Sequence, residues 1–120
     1  MPHIKLEYTE NIDASLTKPI FKELRNILIE NAAVKDENCK CKAIWMSVNA
    51  VGRDGDLRHF YHLEISLLQG RSKEVRQKIG QQSLASLKEY FADNSGKIKK
   101  QFSVEIREIK PGNYFTSTVL

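Results

Sequence analysis

Near its start the chain reads "HIKLEY", in which Ile4, Leu6 and Tyr8 alternate with His3, Lys5 and Glu7. A period of two places the apolar trio on one face of a strand and the polar trio on the other. Over residues 15–31, Leu16, Ile20, Leu24, Ile27 and Leu28 recur at helical spacing, with Pro19 tolerable only in the first turn. After the polar "KDENCK", the nearly continuous apolar run 43–51 ("AIWMSVNAV") predicts a strand buried on both faces. A turn at Asp54-Gly55 and the long apolar run in "LRHFYHLEISLL" then predict a hairpin. Ser72 is a fitting N-cap for a second helix, with Glu74 in its first turn and Val75, Ile79, Leu84, Leu87 and Phe91 as its apolar side. "DNSG" at 93–96 stops that helix, and "FSVEIREI" alternates as a last strand.

The order is therefore strand, helix, strand, used twice. Right-handed crossovers put both helices on one face of a four-stranded mixed sheet, an α+β fold built on a duplicated β-α-β unit. One sheet face is left without a helix. Because 43–51 is so apolar, the expectation is an oligomer in which sheets of several subunits pack together.

At 120 residues, 41% hydrophobic and 28% charged, the composition is that of one soluble globular domain over 1–120. No apolar run nears the ~20 residues that span a bilayer, and no signal-peptide pattern opens the chain, so a cytoplasmic location without membrane contact is expected. Nineteen Lys and Arg against 15 Asp and Glu give a net +4, which suits an anionic partner. The basic residues are scattered among acids and form no nucleic-acid-binding motif; "KIKK" at 97–100 reads as a solvated loop. Cys39 and Cys41 share a strand face at a spacing poor for a disulfide, and His3, His59 and His62 lack zinc-type spacing, so no metal is expected.

Pro2 stands at the mouth of the first strand. A missing N–H costs nothing there, so a purely structural role is one account. The other account is chemical: removal of Met1 would leave a secondary amine fixed by its ring and by the strand behind it. With Met1 retained, Pro2 is an amide and cannot act as a base.

"MPH" at 1–3, "TENI" at 9–12, "KCKAIW" at 40–45, "GRSKEVRQKIG" at 70–80 and "KPGNYF" at 110–115 occur in this order along nearly the whole chain. As an ordered set they resemble the tautomerase superfamily, and within it the 5-carboxymethyl-2-hydroxymuconate isomerase family. The resemblance implies a tautomerase-like homotrimer that needs no cofactor. It also implies aromatic catabolism, with a small 2-hydroxymuconate-type dienol carboxylate converted to its conjugated keto form. Pro2 would be the general base, and Arg71, on the family's "GRS" arginine, would bind a substrate carboxylate. Lys40 and Lys42 fall where the family has arginines, so charge is kept but the bidentate fork is lost. Surface lysines flanking a loop are their competing description. Trp45 and Phe115 are candidates for an apolar wall beside the substrate, with core packing the competing role for Trp45. His3, His59 and His62 are taken as structural or incidental. A non-catalytic oligomeric binding protein of the same fold, for anionic metabolites or proteins, is the alternative function.

Overall fold

A computed structural model of the chain describes residues 1–47, 49–53 and 56–120. Its elements are β1 (His3–Tyr8), α1 (Thr17–Ala32), β2 (Lys40–Trp45), β3 (His59–Leu68), α2 (Lys73–Phe91) and β4 (Lys100–Ile109). The strand order is β2-β1-β3-β4. β1 and β2 are parallel, β3 and β4 are parallel, and β1 meets β3 antiparallel with Lys5 opposite Glu64. Two β-α-β units thus sit back to back across the β1–β3 seam.

Alternation along β1 sends Ile4, Leu6 and Tyr8 to the face that both helices cover. There they meet Leu63, Ile65 and Leu67 of β3, Ile20, Leu24 and Leu28 of α1, and Ile79 and Leu87 of α2. Burying a side chain of this size stabilises by about 1.5–3 kcal/mol relative to leaving it in water, so this cluster drives the fold. Tyr61 centres an aromatic stack, its ring centroid 4.5 Å from Phe91, 5.3 Å from Phe102 and 5.8 Å from Tyr8.

The helix ends follow local rules. Asp13 Oδ1 accepts from the Ser15 N–H in the short turn that leads into α1. Ser72 Oγ accepts from the Val75 N–H at the start of α2, as expected of an N-cap. Asp93 closes the exit of α2 by accepting from the N–H groups of Ser95, Lys97 and Ile98.

Two expectations fail at β2. The strand covers Lys40–Trp45 and is an edge strand, not one buried on both faces across 43–51, and Ile44 and Trp45 remain exposed. Nor do β2 and β3 form a hairpin, because β1 lies between them. The cause is the crossover through α1, which returns the chain to the free side of β1. Residues 46–58 then carry it across to β3. Val48 and the turn expected at Asp54-Gly55 lie outside the described residues.

The sheet face without helices is also unlike the apolar surface expected. Lys5 lies 3.6 Å from Glu64, Arg107 lies 3.5 Å from Glu64 and 3.0 Å from Glu105, and His62 lies 3.4 Å from Glu105. Period-two alternation collects these charges there for the same reason that it collects the aliphatic residues behind. "KIKK" is likewise not wholly a solvated loop: Lys100 begins β4 and is largely buried, its Nζ donating to Glu10 Oε1 and to the Phe91 carbonyl, both at 2.9 Å. No described helix is long and apolar enough to cross a membrane.

Candidate active site

Topology gathers one end of the sheet around Pro2. β1 and β2 run in the same direction, so His3 and Lys40 are register partners at their starts. β3 runs the other way, so its last residues arrive at this end, with Ser66 opposite His3. β4 follows β3, and the segment after Ile109 returns to the same place.

Pro2 is fully buried, and its carbonyl accepts from the Lys40 N–H at 3.1 Å. The Met1 amine just before it is held below its ordinary value, first by burial and then by the adjacent Lys40 ammonium. Both effects disfavour the charged ammonium form. Lys40 Nζ also donates to the Asn38 carbonyl at 3.2 Å, which fixes its side chain at the strand's start. Lys42, two residues on, points to the same sheet face as Lys40 and His3.

His3, structural or incidental on the sequence reading, stands within this cationic group. Its imidazole is held below its ordinary value by burial, then by the Met1 amine, Lys40 and Lys42. Its Nε2 lies 3.1 Å from the Tyr114 hydroxyl, with the two rings edge to face at 5.9 Å. Tyr114 was not singled out from sequence. The "KPGNYF" segment pointed at the region without separating Tyr114 from its neighbour Phe115.

Arg71 lies at this end too, already engaged by backbone. Gly70, at φ 137°, occupies a region that disfavours side chains and turns the chain sharply out of β3. Arg71 Nη1 then donates to the Leu68 carbonyl at 3.1 Å and Nη2 to the Ala32 carbonyl at 3.4 Å. The guanidinium thereby ties the end of β3 to the end of α1, leaving its other donors for a ligand.

Of the two apolar candidates, Trp45 is far from Pro2 within the single chain and Phe115 is exposed. Trp45 is at the far end of β2, paired with Tyr8, and its Nε1–H donates to the Thr9 carbonyl at 3.2 Å. Five residues of strand, about 16 Å, separate it from Lys40. Phe115 is 88% exposed and lines nothing within the chain. A groove of about 530 Å³ lies elsewhere, between α2 and β4, lined in part by Arg76, Gly80, Leu84, Val104 and Ile106. No group of three or more His, Cys, Asp or Glu among the described residues is gathered to hold a metal ion. Cys41 packs beside Arg25, and burial pushes its thiol up despite that cation.

The family model of 5-carboxymethyl-2-hydroxymuconate isomerase matches residues 2–119. The chain belongs to the 5-carboxymethyl-2-hydroxymuconate isomerase family. Among solved structures, a 5-carboxymethyl-2-hydroxymuconate isomerase from Deinococcus radiodurans R1 superposes with a TM-score of 0.81 at 24% identity, over 98% of this chain and 90% of that one. A 5-carboxymethyl-2-hydroxymuconate delta-isomerase superposes with a TM-score of 0.78 at 17% identity, over 99% of this chain and 89% of that one. A fused 4-OT protein described as a symmetric trimer does so with a TM-score of 0.76 at 11% identity, over 98% and 94%. At these identities the superpositions speak for the fold, which is that of the tautomerases. No protein of curated function matches the chain.

Proposed function

We propose that the protein is a cytoplasmic, cofactor-independent keto–enol isomerase of aromatic catabolism, acting as a homotrimer on a 2-hydroxymuconate-type dienol carboxylate. Once Met1 is removed, the Pro2 nitrogen takes the proton of the dienol hydroxyl. The electron pair shifts along the conjugated system as the C=O forms, and the same nitrogen delivers the proton to a remote carbon. One O–H bond is broken, one C–H bond is made, and nothing is oxidised or reduced.

The observation that carries this function is the setting of the N-terminal amine. A base at neutral pH must be unprotonated yet strong enough to accept a proton. An α-amino group begins near ~7.7–8.0; burial and Lys40 lower the Met1 amine, and the Pro2 nitrogen one residue on would meet the same surroundings once Met1 is removed. Lys40, Lys42 and Arg71, at the same end of the sheet, supply cations for carboxylates and for developing negative charge. Family membership supports the isomerase class. The trimer is supported by the two free sheet edges and by a similar fold described as a symmetric trimer.

A non-catalytic anion-binding role is the second candidate, and the attachment of Arg71 to two backbone carbonyls favours it. Mass spectrometry of native protein, combined with a 2-hydroxymuconate ketonisation assay, separates the two. Processed protein should ketonise the dienol, and protein retaining Met1 should lose nearly all of that rate. Equal rates would remove Pro2 as the base.

A further inference from the structure

Of residues 114–120, Tyr114 alone turns inward; Phe115 and everything after it are exposed. A 3-10 turn at Pro111–Asn113 follows β4 and delivers the tyrosine across to the start of β1. There its hydroxyl meets His3, the residue next to the proposed base, among the charges of Lys40, Lys42 and the N-terminal amine. A tail fastened only for stability would gain more by burying the apolar Phe115. The chain instead buries the residue with a hydroxyl and aims it at a ring whose surroundings are cationic.

We propose that the Tyr114 hydroxyl is a catalytic hydrogen-bond donor to the substrate oxygen on which negative charge develops, with His3 as its positioning residue. This rests on the isomerase function above. With the proton on Nε2, His3 donates to the phenol oxygen, and the phenol proton is left free for the substrate. As the Pro2 nitrogen removes the enol proton, the dienolate oxygen gains charge and the Tyr114 O–H bond to it strengthens. Tyr114 keeps its proton throughout, so the overall proton transfer from oxygen to carbon is unchanged. Arg71, bound to two carbonyls, holds the carboxylate, and the neutral donor serves the reacting oxygen. A donor that acts mainly in the transition state lowers kcat when removed and leaves KM nearly unchanged.

The test uses processed full-length protein with 2-hydroxymuconate as the probe. Tyr114→Phe keeps the ring and should lower kcat on the order of 10- to 100-fold, with KM changed less than about threefold. His3→Ala should lower kcat comparably. His3→Gln, whose amide can still donate to the phenol oxygen, should recover part of the loss. Adding His3→Ala to Tyr114→Phe should cost less than about a further twofold, because the two residues act through one contact. A Tyr114→Phe enzyme whose kcat is within about twofold of wild type, or whose loss lies wholly in KM, overturns the donor role and leaves Pro2 as base untouched. His3→Gln no better than His3→Ala overturns the positioning role. A processed wild type that does not ketonise the dienol overturns the isomerase function and this inference with it.

Discussion

Arg71 carries two demands at once. Its guanidinium joins β3 to α1 through the Leu68 and Ala32 carbonyls, and under the proposed function it also binds a substrate carboxylate. Hydrogen bonds from a charged donor are worth more than neutral ones, so Arg71→Ala should destabilise the fold by about 1–2 kcal/mol, read as a lower melting temperature. If it also grips substrate, kcat/KM should fall on the order of 10²-fold, and Arg71→Lys should restore only part of either quantity because a point charge cannot reproduce the fork. A lowered melting temperature with kcat/KM within about twofold would make it purely structural. Lys40 gives a prediction with a definite sign. Its ammonium helps lower the Met1 amine and would act in the same way on the Pro2 nitrogen of processed protein, so Lys40→Met should raise the midpoint of the acid limb of kcat/KM toward the ordinary α-amino value. An unchanged or lower midpoint in a pH–rate profile would contradict the proposed coupling. Sequence showed these cations because it carries residue type. It could not show that Arg71 also serves the backbone, which depends on where α1 stops.

Element ends are where local chemistry and packing disagree. α1 ends with Ala33 at φ 53°, in the left-handed region where a Cβ is strained and where glycine is the usual residue. Ala33→Gly should therefore stabilise by about 0.5–1 kcal/mol in chemical denaturation; a destabilised variant would show that the strain is relieved elsewhere. At the opposite end of the sheet, Glu10 accepts from the Tyr61 hydroxyl and from Lys100. Burial alone would raise the Glu10 carboxyl, but these two partners outweigh it and hold it below its ordinary value. Its contribution is then fully present above the unfolded-state pKa and is lost as pH falls through the folded one. Lys100→Met should cost about 1–3 kcal/mol at neutral pH, less than a wholly buried pair would because Glu10 retains some solvent. The difference from wild type should shrink in acid, as melting curves against pH would show. Five of the six regular elements were legible from periodicity and caps: β1, α1, β3, α2 and β4. β2 is not legible this way, because apolar runs carry no record of strand order. The run at 43–51 reads as a doubly buried centre, whereas the crossover sets Lys40–Trp45 at an edge. Apolar residues such as Ile44 and Trp45 on an exposed edge suit a strand that another chain covers.

At the scale of the whole molecule, the argument for assembly lies at the sheet edges, since the helix-free face is charged and not apolar. β2 and β4 are opposite edges of one sheet, and among the described residues no strand pairs with the outer side of either. Uncovered edges invite pairing with another chain, and joining unlike edges around an axis gives a ring when the rotation closes. Ile44 and Trp45, 40% and 47% exposed on the β2 edge, would then be covered by a neighbour. Charges brought inward on the helix-free face already have partners, so Lys5, Glu64, Arg107 and Glu105 need not enter unpaired. Sedimentation at micromolar concentration should give three times the 13.8 kDa chain mass. Trp45 is the sole tryptophan, so its emission should shift to the red as dilution releases single chains. Ile44→Asp places an unpaired charge on the edge and should shift the equilibrium toward single chains while α1 and α2 keep their circular dichroism. A wild-type protein that sediments as one chain, with tryptophan emission independent of concentration, would mean that the exposed edge serves another partner and that the trimer is wrong.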